Sequence, residues 1–283
     1  MTGAAYSAFD LTERTAIVTG AGSLGPGIGI GRASALLLAD AGATVGLLDR
    51  QVDAAAETLQ MIEERAGHGT VVKADVADPA SVEKAVEDLV DKLGRLDILV
   101  NNVGVVGPAG DATEVDPDEW DSAAATNVRS MMVMAKHCIP HMVAQGSGAI
   151  VNISSIAGMG GGYPSLSYPT TKGATISLTK AMAYHHARQG IRVNAVAPGQ
   201  VFTPRLEARG ISEEMRQRRL STAPLGTEGT GWDVGYAVWY LASDAARWIT
   251  GAVLPVDAGL TAMLPLDTPP AVGQDAASIE GTR

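Results

Sequence analysis

Tyr168 and Lys172 stand four residues apart in the stretch Ser-Tyr-Pro-Thr-Thr-Lys-Gly-Ala, and Ser155 precedes Tyr168 by thirteen. Positions four apart on a helix share a face, so the Lys172 ammonium can lie beside the Tyr168 phenol. A phenol titrates near pH ~10 and is a weak base at neutral pH. A cation held nearby favours the phenolate and lowers that value. A serine hydroxyl can hold a substrate oxygen while the tyrosine moves the proton. Together the three residue types make a proton-transfer device for an alcohol or a carbonyl. A surface Tyr and Lys with a loop serine carry the same letters, so the elements around them must show whether a cleft converges.

Short apolar runs alternate with helical patterns along the chain. The runs cover 15–19, 44–48, 70–74, 96–100, 149–153, 192–196 and 253–256. Helical patterns cover 30–40, 52–65, 80–93, 117–145 with a break near Asn127, 167–188 and 232–243. Strands alternating with helices predict a parallel, doubly wound sheet. In such sheets ligands bind beyond the carboxyl ends of the strands. Gly20, Asp49, Asp75, Asn101-Asn102, Ser154-Ser155 and Pro198-Gly199 each follow an apolar run, so they converge on one site.

The first run feeds Thr-Gly-Ala-Gly-Ser-Leu-Gly-Pro-Gly-Ile-Gly-Ile-Gly and then a helix. Glycines let backbone approach a pyrophosphate, and a helix N-terminus offers unpaired N–H groups. A glycine-rich turn between a strand and a helix is the context that gives the pattern meaning. Gly20, Gly22, Gly29 and Ile30 are the candidate phosphate contacts. The second run ends in Asp49, whose carboxylate can accept both hydroxyls of an adenosine ribose and would repel a 2′-phosphate. No Lys or Arg lies between Thr19 and Gly31, and Arg50 is the one dissenting residue. The cofactor expected is therefore NAD rather than NADP.

In this order the motifs Thr-Gly…Gly-Ile-Gly, Asn-Asn-Val-Gly, Ser155, Tyr168-x-x-x-Lys172 and Pro198-Gly199 resemble those of the classical short-chain dehydrogenases/reductases, over residues 10–263. The resemblance implies a single-domain, Rossmann-type doubly wound parallel sheet of about seven strands with helices on both faces. It makes Tyr168 the general acid/base, Lys172 its partner and a ribose contact, Ser155 rather than Ser154 the substrate-oxygen contact, and Asn127 the residue holding a water in the proton relay. It puts Asp75 and Val76 against the adenine, Asn102 and Gly104 along the cofactor, and Pro198, Val201 and Thr203 at the nicotinamide, with Asn101 more structural. A substrate lid over about 204–225 and assembly as a homotetramer follow from the same likeness. Three features depart from the family pattern. Eight residues separate Gly20 from Gly29 where three are usual, Val103 replaces an alanine, and Pro169 directly follows the tyrosine.

The segments after Ser155 and from Val105 to Ala109 carry no charge, which predicts a neutral substrate of apolar or cyclic character, such as a cyclic or aryl secondary alcohol. Arg205 and Arg209 could meet an anionic group, but a solvated charged helix is the favoured reading. The 283-residue chain has a formal charge of −10 and no basic stripe, which argues against nucleic acid and anionic membrane as partners. Its one cysteine, Cys138, suits a cytoplasmic location and reads as buried filler. Residues 1–10 lack a signal-peptide pattern, no apolar run approaches membrane-spanning length, and no His/Cys/carboxylate cluster, His185-His186 included, suggests a metal. Residues 264–283 read as an extended tail after a 1–263 domain. The leading expectation is an NAD-dependent oxidoreductase interconverting a secondary alcohol and a ketone. An NADP-dependent ketoreductase of the 3-oxoacyl type, a nucleotide-sugar epimerase or dehydratase of the extended relatives, and a non-catalytic NAD(H) sensor are the alternatives. The extended relatives need a longer substrate domain, and sensors typically lose the tyrosine or lysine that this chain keeps.

Overall fold

Apolar residues fill both faces of the strands, and this drives them into the interior of a parallel sheet. A computed structural model describes residues 7–23 and 25–263; the expected tail over 264–283 lies outside the described residues, as do residues 1–6. The strands are β1 (Thr15–Thr19), β2 (Thr44–Asp49), β3 (His68–Lys73), β4 (Ile98–Asn101), β5 (Gly148–Ile153), β6 (Ile191–Pro198) and β7 (Val253–Val256). They form one seven-stranded sheet in the order β3-β2-β1-β4-β5-β6-β7, with every pairing parallel.

Alternate strand residues feed two cores. On one face Ala16, Val18, Val45, Leu47, Val100 and Val151 pack under Leu36 and Leu38 of α1 (Ile30–Asp40), Ile62 of α2 (Val52–Glu63) and residues such as Val234 and Val238 that follow the lid. On the other face Ile17, Leu48, Leu99, Ile150 and Val193 pack under Val82, Val86 and Leu89 of α3 (Pro79–Leu93) and under two later helices. A short helix, α4 (Pro117–Ala124), leads into a π turn over Ala125–Arg129 and then α5 (Ser130–Gln145), so the break near Asn127 is a π turn. The long helix α6 (Ser167–His186) follows β5, and Pro169 falls in its first turn, where a missing N–H costs nothing. The lid region holds α7 (Pro204–Glu207) and α8 (Glu213–Thr222), and α9 (Gly231–Ala242) closes the first face.

Some element ends differ from the sequence reading. β3 starts at His68, because its pairing with β2 runs back to Thr44. β4 starts at Ile98, where its register with Ala16 of β1 and Ala149 of β5 begins. Among the described residues no helix is long and apolar enough to cross a membrane. Nor do three or more His, Cys, Asp or Glu side chains gather there as metal ligands.

Candidate active site

The sheet order reverses between β1 and β4, and a cavity of about 880 Å³ opens at the strand ends there. Gly20, Gly22, Gly29, Ile30, Asp49, Asp75, Val76, Asn102, Gly104, Ser155, Tyr168, Lys172, Pro198, Val201 and Thr203 all line it. Asn127 does not. Its side chain is buried behind the wall, accepting from the Val105 amide (2.7 Å) and donating to the Val105 carbonyl (2.8 Å) and to Thr171 Oγ1 (2.9 Å). Both amide N–H donors are thus committed to holding the 103–106 loop against α6. A water that Asn127 serves must attach to the remaining lone pair or to its main-chain carbonyl.

At the first end of the cavity, Gly20 turns with φ +64°, and a Cβ there would crowd Asn102 and Val103. Asn102 donates its side-chain amide to the Thr19 and Gly20 carbonyls, each at 3.0 Å, which clamps the turn to β4. Helix α1 starts at Gly29 with no side-chain cap and no acidic residue in its first turn. The Ser23 hydroxyl is buried with no hydrogen-bond partner. An uncapped helix N-terminus and an orphaned hydroxyl on one loop fit the phosphates of a dinucleotide. Asp49 accepts from the Gly22 and Gln51 amides, each at 2.9 Å, which fixes its carboxylate at the end of β2. Arg50 leans toward Asp75 (3.7 Å). Arg32, directly after the glycine-rich stretch, is buried and spends its guanidinium on Gly27, Ala54, Thr58 and Glu57. Neither Arg32 nor Arg50 is therefore an unpaired cation beside Asp49. Ser23 and Arg32 escape a motif reading because neither letter belongs to a glycine pattern.

At the second end, β5 delivers Ser155 and α6 delivers Tyr168 and Lys172. Ser154 points away, its hydroxyl donating to the Lys172 carbonyl (2.8 Å), whereas Ser155 Oγ caps the following turn at Ala157 and lies beside Tyr168. The Asn101 side chain pairs with Asn152 inside the sheet (2.9 Å). Lys172 is buried, donates to the Ile153 carbonyl (2.8 Å) and sits 5.9 Å from the Tyr168 ring centre. Burial, and then the neighbouring Arg205 charge, push its ammonium down to about 8. Burial also pushes the Tyr168 phenol up from its ordinary value; Ser155, Arg205 and Arg209 pull the other way, and Tyr163 adds to the rise. The lowering expected from Lys172 is thus not what sets the phenol: desolvation dominates it, and the counteracting cations come from the lid. Cys138 is buried in the core, which raises its thiol and leaves it inert.

Arg205 and Arg209 are solvent-exposed, and both also line the cavity with Tyr168, as does the half-buried Arg219 of α8. Arg205 donates to the Gly104 carbonyl (2.5 Å), so the lid touches the loop after β4. Tyr163 stacks against Tyr168 with ring centres 4.9 Å apart. Nothing in the sequence singles out Arg219 within the lid, or shows that Tyr163 of the uncharged segment after Ser155 meets Tyr168.

A family model described as enoyl-(acyl carrier protein) reductase matches residues 26–261. The cis-4-hydroxycyclohexanecarboxylate dehydrogenase of Sinomonas cyclohexanicum is 39% identical over 252 residues, covering 89% of this chain and 98% of that protein. A short-chain dehydrogenase/reductase from Burkholderia xenovorans has a solved structure that matches with TM-score 0.86 at 37% identity, over 90% of this chain and 98% of that one. A gluconate 5-dehydrogenase from Burkholderia cenocepacia, solved with NADP and tartrate, matches with TM-score 0.84 at 32% identity, over 92% and 100%.

Proposed function

The chain belongs to the short-chain dehydrogenase/reductase family of oxidoreductases, and on that premise we propose that it is an NAD-dependent enzyme interconverting a secondary alcohol and a ketone. The observation that carries the reading is convergence: Ser155, Tyr168 and Lys172 meet at one end of a cavity whose other end offers an uncapped helix N-terminus, the Ser23 hydroxyl and Asp49. When bound, the dinucleotide supplies the hydride acceptor for the alcohol carbon. Ser155 holds the substrate oxygen. Tyr168 takes the hydroxyl proton in oxidation and returns it in reduction. Lys172 keeps two N–H donors beyond its bond to Ile153, suited to ribose hydroxyls. Asn127 positions the loop that carries Gly104 and continues a proton path through its carbonyl or its remaining lone pair.

NAD rather than NADP is supported by Asp49 at the end of β2 and by the prior engagement of Arg32, although the gluconate dehydrogenase neighbour was solved with NADP. Val105, Val106, Ile156 and Ala157 give the cavity an apolar wall, which supports a substrate with a cyclic or otherwise apolar body. The relative that acts on a hydroxycyclohexanecarboxylate supports the cyclic body, but its substrate carries a charge that the sequence reading of a neutral substrate does not include. Apolar side chains left uncovered on α5 and α6, Met132, Val143 and Tyr184, support a homotetramer, and the cytoplasm is the matching compartment. The test is a panel of cyclic and acyclic secondary alcohols, followed by NADH absorbance with NAD and NADPH absorbance with NADP. Turnover with NAD at higher kcat/KM than with NADP is expected. Reduced dinucleotide from no alcohol, or equal efficiency with both cofactors, overturns the reading.

A further inference from the structure

We propose that the substrate carries a carboxylate, gripped by Arg205, Arg209 and Arg219 at the lid end of the cavity; this rests on the secondary-alcohol reading above and names its substrate class.

The three arginines come from α7, from the turn after it and from α8, yet they share one cavity with Tyr168. Elsewhere in this acidic chain several guanidiniums are neutralised, whereas Arg129 and Arg192 donate only to main-chain carbonyls. Arg14, Arg32, Arg65, Arg95 and Arg216 each stand within 3.3 Å of a carboxylate. Among the described residues, none of the three lid arginines forms such a pair. Arg205 and Arg219 each donate to one neutral carbonyl, of Gly104 and of Val201. Arg219 Nε is buried with no partner. Glu228, whose charge acts on Arg219, accepts two bonds from Arg216 at Oε2 (2.9 and 2.7 Å), and its buried Oε1 has no hydrogen-bond partner. The acidic residues lining the cavity, Asp49 and Asp75, belong to its other end.

A guanidinium carries five N–H donors in a planar fork that matches a carboxylate. One carbonyl apiece leaves most of those donors on Arg205 and Arg219 unspent. Partial desolvation, and then the like charge of Arg209, disfavour the Arg205 cation although the residue stays solvent-exposed, and an anion between the two offsets the like charge. The dinucleotide phosphates do not require these groups, since the helix α1 terminus and Ser23 serve them at the first end. Arg205 and Arg209 instead act on Tyr168, the proton-transfer group. The carboxylate therefore sits a short distance from the reacting hydroxyl, on the lid side.

Two probes of one size and opposite charge character test this: cyclohexanecarboxylate and cyclohexanecarboxamide, titrated calorimetrically into the NADH-saturated protein. The carboxylate is expected to bind at least about tenfold tighter, as charge-assisted forks outweigh neutral hydrogen bonds. Arg209→Gln and Arg219→Gln should each cut that preference to about threefold or less while NADH affinity stays within about twofold, which also shows that the variants fold; Arg209→Lys should keep part of it. Equal binding of the two probes, binding of neither, or variants that lose NADH affinity instead of carboxylate preference would overturn the proposal. If the protein oxidises neutral alcohols with NAD but shows no preference between the probes, this inference fails and the proposed function stands. If it prefers the carboxylate yet oxidises no alcohol, charged or neutral, the proposed function fails alone.

Discussion

The β1–β4 end of the cavity carries its charge as carboxylates, Asp49 and Asp75, and builds its shape from backbone held at close range. Gly20 turns where a side chain would crowd Asn102, and Arg32 ties Gly27 down from beneath. The lid end carries its charge as guanidiniums on short helices, and it touches the sheet side of the cleft through single bonds such as Arg205 to Gly104. One end is a rigid mould for a ligand that does not vary. The other is an adjustable clamp whose side chains select what is oxidised. Tyr168 and Lys172 lie between the two and feel both: burial by the sheet side, and positive charge from the lid.

Substitutions at the junction and in the mould should cost more than those in the clamp. The largest effect is expected at Lys172→Met. Turnover should fall at least about a hundredfold, in line with loss of a group that supports acid–base catalysis. Stability should move the other way. The folded value of about 8 lies below the ordinary 10.5, so holding this ammonium in the core costs free energy below pH 8, and the cost fades as pH rises from 8 to 10.5. A shift of that size corresponds to on the order of 3 kcal/mol, against about 1 kcal/mol for the lost bond to Ile153. Thermal melts at pH 7 should show the variant more stable than the unmodified protein, with the gap closing by pH 10; a variant less stable at pH 7 would refute this.

Gly31→Ala comes next. A Cβ there would overlap the Gly20 carbonyl where α1 crosses β1. Overpacking of this kind costs about 1–3 kcal/mol, so a lower melting temperature and weaker NADH binding should appear together; an unchanged NADH affinity would count against the rigid mould. Asp49→Ser should leave the fold intact and shift the NAD-to-NADP ratio of kcat/KM toward NADP by about tenfold, which is roughly 1.4 kcal/mol. No change in the ratio would remove Asp49 from cofactor choice. The smallest effect is expected in the clamp. Gly210 lies in the lid with φ +71° and open space around it, so Gly210→Ala should cost about 1 kcal/mol in a chemical melt and leave NADH affinity unaltered. Weakened NADH binding there would erase the distinction between the two ends.

The same contrast explains what could be read from the letters alone. The sheet, its strand content and the convergence of Gly20, Asp49, Asn102, Ser155 and Tyr168 follow from period and from motifs whose chemistry is local. Strand ends are legible only to within a few residues, because β3 and β4 are bounded by where pairing with their partner strands begins rather than by their own composition. Arg32 and Ser23 act through contacts with residues far along the chain or through burial, which no spacing encodes. The lid arginines read as solvated, and Arg205 and Arg209 are exposed; spacing does not report that they and Arg219 also line the cavity with Tyr168. Spacing places Lys172 beside Tyr168, but it does not report the burial that dominates both groups.

The proton-transfer role of Tyr168 is tested most directly by steady-state alcohol oxidation across pH for the unmodified protein and Tyr168→Phe, with NADH affinity measured on both. Burial holds the phenol above its ordinary value, so oxidation by the unmodified protein should keep rising with pH through the alkaline range as the phenolate forms. Tyr168→Phe should lose about a hundredfold or more at every pH and bind NADH as tightly as before. A variant that keeps more than about a tenth of the activity, with the same rise in pH, would contradict Tyr168 as the proton-transfer group.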